Sequence, residues 1–163
     1  MTIKIISGGQ SGADLGGLVA AERYGLIGEF GGWMPRGWLT EDGPKPEYEA
    51  RFRMREHPSR DYRDRTISNI GLADATLIFG DPRTPGDRLA TSTLLNLQLP
   101  YAVIGSSDYT KPAVLAREFI VRNNFTVINI AGNRESRDPG IQAWVERYLS
   151  EVFEVMGFKE IGR

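Results

Sequence analysis

Residues 2–14 read Thr-Ile-Lys-Ile-Ile-Ser-Gly-Gly-Gln-Ser-Gly-Ala-Asp. Residues 2–6 are rich in β-branched side chains and run straight into glycines, the pattern of a buried central strand that ends in a tight turn. From Ala13 to Tyr24 the apolar residues Leu15, Leu18, Val19 and Ala20 recur at helical spacing, and Gly25 follows as a C-cap. Ser11 and Asp14 fit a capping-box-like start to that helix. Strand, glycine turn and helix therefore follow one another without a break, which is how an α/β unit with a ligand-facing loop begins.

The alternation continues outward from this unit. Residues 61–73 predict a helix with Ile67 and Ile70 turned inward, and Ala75–Phe79 predicts a strand. Residues 87–98 predict a helix, Tyr101–Ile104 a strand, Lys111–Asn123 a helix and Phe125–Ile130 a strand. A last long helix is expected from near Asp138, with Pro139 in its first turn. Strands alternating with helices imply a single domain over residues 1–163, a Rossmann-like three-layer sandwich with a mainly parallel central sheet. The stretch from Gly31 to Arg60 breaks the pattern. It carries Pro35, Pro44, Pro46 and Pro58 with Trp33 and Trp38 interleaved, and its aromatic content argues for an ordered, packed loop.

Composition narrows the function classes. The chain has 163 residues with a net charge of −1, which lacks the broad basic footprint of a nucleic-acid binder. Without cysteine it has no disulfide, thiolate metal site or cysteine nucleophile, and the lone His57 cannot build a histidine-rich zinc site. Met1–Ser7 reads as neither signal peptide nor membrane span, so a cytoplasmic protein with no membrane partner is expected.

The chemistry concentrates after the strands. In Ser7-Gly8-Gly9-Gln10-Ser11-Gly12 the glycines let backbone amides approach an anion while the helix amino terminus adds a favourable partial charge. The segment has neither the G-x-G-x-x-G spacing of dinucleotide enzymes nor the lysine of a P-loop. Asp14 reads as a helix cap rather than a catalytic carboxylate. Arg36 could clamp an oxyanion and Trp33 stack on a planar ring, or the tryptophan could plug the core with the arginine in solvent. Glu41, Asp42 and Gly43 form an acidic turn. Tyr62, Arg65, Thr66 and Asn69 share one polar helix face fit to line a cleft, with Asp61 as an alternative partner for Arg65. Asp87 is expected to spoil Pro82–Asp87 as a second anion site, since its carboxylate would take the anion's place at a helix amino terminus. Arg134 is either a phosphate contact or a structural ion pair near Glu135. No catalytic residue and no metal ligand is assigned.

These motifs resemble the molybdenum carrier family, a Rossmann-like group that includes the lysine-decarboxylase-like and SLOG nucleotide-ligand sensor proteins. The resemblance spans nearly the whole chain. It rests on Ser7–Gly12 with Asp14, Gly32-Trp33 with Pro35 and Gly37, Glu41-Asp42-Gly43, Tyr62 with Arg65-Thr66 and Asn69, Asp74–Ile78, Asn129–Gly132, Arg134-Glu135-Ser136 and Pro139-Gly140-Ile141. Leu15 stands where the family usually has arginine, and Pro85-Gly86-Asp87 where it has Gly-Gly-Thr. The related phosphoribohydrolases carry a glutamate where this chain reads Ala90-Thr91-Ser92-Thr93, which argues against hydrolysis of a nucleotide glycosidic bond. The resemblance implies a homo-oligomeric carrier, dimer or tetramer, of molybdenum cofactor, molybdate or another phosphate-bearing small molecule. A nucleotide hydrolase and a nucleotide-ligand sensor are its rivals.

Overall fold

The computed structural model describes residues 1–105 and 113–162. The first unit is β1 (Lys4–Ser7) and α1 (Ala13–Arg23). The proline-rich stretch then folds into short pieces, β2 (Trp33–Met34), β3 (Leu39–Thr40), β4 (Gly43–Pro44), α2 (Tyr48–Phe52) and β5 (Arg55–Glu56). Regular alternation resumes with α3 (Tyr62–Leu72), β6 (Ala75–Phe79), α4 (Pro85–Leu97), β7 (Tyr101–Ile104), α5 (Val114–Arg122), β8 (Val127–Gly132) and α6 (Ile141–Val155).

The four long strands form one sheet in the order β1-β8-β6-β7, and all three pairings are parallel. The chain leaves β1, skips one position to lay down β6 and β7, then returns β8 into the gap. Alternation of side chains along β8 sorts its two faces. Ile128 and Ile130 join Ala20, Ala21, Val145, Leu149 and Phe153 under α1 and α6. On the opposite face Ile78 meets Ile70, Ala90 and Leu94 beneath α3 and α4, with Ala131 packed alongside. This is the three-layer α/β sandwich expected from the sequence.

Several local expectations are corrected. Ile67 is 42% exposed, and Ile70 alone of the pair turns inward, because a helix lying on a sheet buries only one stripe. The last helix begins at Ile141 with Gly140 as its N-cap, so Pro139 precedes the helix instead of opening it. Of the Lys111–Asn123 helix, residues 111 and 112 lie outside the described residues, and the helix runs from Val114 to Arg122. The stretch 31–60 is packed as expected: Met34, Tyr48, Phe52 and Met54 close over Leu18 of α1 as a second small core. No described helix is long and apolar enough to cross a membrane.

Candidate functional site

A cleft of about 400 Å3 opens at the carboxyl ends of β1, β8 and β6. Asn129 to Asn133 make its floor, the polar face of α3 one wall, and Thr84 to Asp87 at the start of α4 the other. Gly8, Gln10 and Asp14 close its inner end, and Arg63, Arg134 and Arg137 join the lining. Such a place, beyond the strand ends where the chain doubles back, is where open α/β sheets bind ligands, and the volume suits a small molecule.

Arg65 is the centre of the site. Asp61 caps α3 by accepting the Arg63 amide at 2.9 Å and takes the Arg63 side chain as its ion partner, which leaves Arg65, half a turn further on, facing the cleft. Arg65 is only 9% exposed. Its guanidinium lies directly over Gly8, where any β-carbon would fall 1.8 Å from Nη1, so only glycine fits beneath it. The nearest carboxylate oxygen, Asp14 Oδ2, is 3.5 Å from Nη1, beyond good hydrogen-bonding range. Nε has no hydrogen-bond partner among the described residues. Burial pulls the guanidinium's pKa down while Asp14 pulls it up, and so deep a charge without close acceptors is rare in a finished core.

Gln10 repeats the pattern. Its Oε1 accepts from the amides of Ser11 at 3.0 Å and Glu41 at 2.9 Å, while Nε2, on a residue only 5% exposed, has no partner. Two buried donors at the inner end of one cleft thus lack acceptors among the described residues.

The backbone of the glycine loop is less open than the sequence implied. The Gln10 amide donates to Asp14 Oδ2 at 3.2 Å and the Ala13 amide to the Asn133 carbonyl at 3.0 Å. With Ser11's amide already on Gln10, three loop amides end on the chain's own acceptors. Nor does Asp14 cap α1. The N-cap is Gly12, without a side-chain bond, and Asp14 is held in the cleft by Gln10 and Arg65. Burial drives its pKa up to about 6 against the opposing pull of Arg65, the Gln10 amide and Arg134.

The expected site residues therefore divide. Gly8, Gln10, Arg65, Thr66, Asn69 and Arg134 line the cleft together. Arg134 lies over the Tyr62 ring at 5.2 Å instead of pairing with Glu135. Asn69 is a bracket, its Oδ1 accepting the Trp33 amide at 2.8 Å and its Nδ2 donating to the carbonyls of Trp33 and Ser7. Ser7 is buried behind the cleft, with an unpartnered Oγ. Gly9 faces Met34, while Gly12 packs against the Asn133–Glu135 backbone. Trp33 packs edge-to-face against Phe30 and His57, and Arg36 is exposed, so neither lines the cleft. Ser11 Oγ donates to Glu41, whose carboxylate also accepts from the amide and hydroxyl of Ser136. Glu41 is thereby a clasp between the β3–β4 hairpin and the segment after β8. Asp42 is exposed beside it.

Asp87 and Asn133 were missed as site residues. Asn133 donates to Asp87 Oδ2 at 2.9 Å and accepts the Asp81 amide at 2.6 Å, tying the loop after β6 to the end of β8. Asp87 does not cap α4 as expected: Thr84 is the N-cap, no side chain bonds the first amides, and the Asp87 carboxyl turns to Thr84 Oγ1 and Asn133. Its pKa rises to about 7, chiefly through burial, against the Thr84 hydrogen bond and with help from Asp14 and Asp81. The Thr84-Pro85-Gly86-Asp87 helix start was the available signal. Among the described residues no group of three or more His, Cys, Asp or Glu is placed to hold a metal ion.

Comparison with known proteins bears on this geometry. The family model of the circularly permutated YpsA SLOG family matches residues 5–153. The fold is also that of a crystal structure from Syntrophus aciditrophicus SB, provisionally named a molybdenum carrier protein: the TM-score is 0.83 at 30% sequence identity, covering 93% of this chain and 94% of that one. A search of curated proteins gives no match.

Proposed function

Since this chain belongs to the circularly permutated YpsA SLOG family, we propose that it is a binding or carrier protein for a small molecule that presents a phosphate or other oxyanion to the cleft. The observation that carries this reading is Arg65, a buried guanidinium over Gly8 with an unpartnered Nε and only a loose ion pair. An oxyanion supplies what that group lacks, since guanidinium binds carboxylate, phosphate and related anions through paired charge-assisted bonds. Gln10 Nε2 is the second donor, and Arg134 adds positive charge beside it. The anion site thus rests more on side chains than on the amides of the glycine loop.

The cargo we favour is molybdenum cofactor or molybdate, in line with the relative's name. The donor set suits the phosphate of such a cofactor or the oxygens of molybdate. Without cysteine the chain offers no thiolate ligand to molybdenum. Native mass spectrometry of the purified protein tests the reading: a copurifying phosphate-bearing or molybdenum-bearing molecule, lost in Arg65→Met, supports it.

A hydrolase acting on a nucleotide is the second reading, favoured by the two cleft carboxyls with raised pKa values, Asp14 at about 6 and Asp87 at about 7. Incubation with nucleoside monophosphates separates the two. Release of free base or phosphate that Asp87→Asn abolishes while the fold survives establishes the enzyme, and binding without turnover establishes the carrier.

A further inference from the structure

The charges around the cleft are sorted unevenly. Asp14, from α1, faces Arg65 of α3, so the inner end has a cation for its carboxylate. Asp87, only 4% exposed, is held by two neutral groups, the Thr84 hydroxyl and the Asn133 amide, both at 2.9 Å. The surrounding elements also carry Asp81 and Arg83 on the loop after β6, Arg88 on α4, Arg63 and Asp64 on α3, and Arg134, Glu135, Arg137 and Asp138 after β8, of which Arg63, Arg134 and Arg137 line the cleft. Arg83 is engaged with Asp81 at 2.9 Å, and Arg63 with Asp61 at 2.7 Å. The charges that act most on Asp87 are two like ones, Asp14 and Asp81. Both of its hydrogen bonds fall on Oδ2, which leaves Oδ1 without a partner among the described residues.

We propose that an oxyanion and a proton enter this cleft together, with Asp87 as the group that takes up the proton. An ionised Asp87 would repel an anion in a cavity that already holds Asp14. A neutral Asp87 removes that repulsion, and its Oδ1–H becomes a donor on a cleft-lining residue while Oδ2 keeps both bonds it has now. Ionisation is already unfavourable there, with the carboxyl pushed up to about 7, and an incoming negative charge raises that value further. Binding is therefore linked to protonation, and affinity must fall as Asp87 ionises. The inference rests on the oxyanion-binding reading above.

Sulfate is the probe, because it is tetrahedral and keeps the same charge across the neutral range. Titration calorimetry of the wild-type protein in two buffers of different ionisation heat counts the protons taken up. At pH 7 the count should be about one half per sulfate, rising toward one at pH 8, and affinity should fall about ten-fold between pH 6 and pH 8. Asp87→Asn is the informative variant, since an amide can set its one oxygen where Oδ2 now accepts from Thr84 and Asn133 and offers Nδ2 in place of the neutral O–H. It should bind sulfate at pH 8 at least as well as the wild type does at pH 6. Its residual pH dependence should be clearly weaker than that of the wild type, with Asp14 as the remaining titrating carboxyl. Sulfate binding with no proton uptake, or weaker binding in Asp87→Asn at both pH values, overturns the inference and leaves the oxyanion reading intact. Failure of sulfate, phosphate, molybdate and nucleoside monophosphates alike to bind overturns both.

Discussion

Arg65 shows most plainly how one side chain gives the cleft its character. Replacing it by methionine removes a charged double donor, and charge-assisted hydrogen bonds are worth about 1.5–3 kcal/mol each, so oxyanion affinity should fall by at least about ten-fold. Arg65→Lys should not restore it, because an ammonium cannot present the planar fork. Folding stability should also fall in Arg65→Met at neutral pH, since Asp14 is left buried without its cation, and the deficit should shrink toward acid as Asp14 protonates. Calorimetry and thermal melting on the same samples check both halves. Gly9 makes the opposite point. Its backbone has φ of +73°, and an added β-carbon would lie 2.9 Å from Met34 Sδ, on the side of the second core. Gly9→Asp should thus cost about 2–3 kcal/mol of stability, read as a lowered urea midpoint, with any ligand loss tracking loss of fold. The need for glycine at both Gly8 and Gly9 was legible from Ser7–Gly12. Which glycine faces the ligand was not, because the direction of each missing β-carbon is set by turn dihedrals that sequence does not encode locally.

At the level of elements, the Glu41 clasp joins three segments that are far apart in sequence. Its carboxylate accepts from Ser11, on the glycine loop, and from Ser136 after β8. Burial raises its pKa, but the bonds from Ser11 and Ser136 outweigh that and hold it below the ordinary value. A lowered folded pKa means stability present at neutral pH and lost as pH falls through the carboxylate range. Glu41→Gln should therefore cost about 1–2 kcal/mol at pH 7 in urea denaturation, with the deficit shrinking toward acid as the wild-type carboxyl protonates. Amide exchange should show the loosening at residues 39–44. The proline-rich stretch was readable as an ordered loop from its aromatics, yet neither its short strands nor the Glu41 clasp was, since both depend on long-range partners. The polar face of α3 was legible from helical spacing, whereas the outward placement of Ile67 was not: two isoleucines three residues apart do not say where the buried stripe ends.

For the whole molecule, opposing carboxyls set the stability profile. Asp74 and Asp81 are held low by hydrogen bonds, Asp74 from the Val127 and Thr126 amides and Asp81 from Arg83, so their contribution is lost as pH falls into the acid range. Asp14 and Asp87 are held high, at about 6 and about 7, so the folded state loses stability as pH rises from about 4 toward 7. The melting temperature should peak in weakly acidic solution and fall toward pH 8, and Asp87→Asn should flatten that fall. A profile that keeps rising to pH 8 contradicts this assignment. The layered architecture was legible because strands and helices alternate with clear periodicity. The order β1-β8-β6-β7 was not, and it matters most: only by inserting β8 between β1 and β6 does the chain carry Asn133 and Arg134 into a cleft with Gly8 and Asp87. That is also why Asp87 read as an obstacle in sequence and stands as part of the site in the fold.

The most direct test of an oxyanion held by Arg65 is an anomalous difference map from crystals soaked in molybdate, a tetrahedral oxyanion whose metal can be located unambiguously. A peak is expected in the cleft with oxygens within hydrogen-bonding distance of Arg65 and Gln10, absent from Arg65→Met crystals treated alike. A peak confined to the α1 backbone around Ser11 and Gly12, or one that survives unchanged in Arg65→Met, contradicts the account.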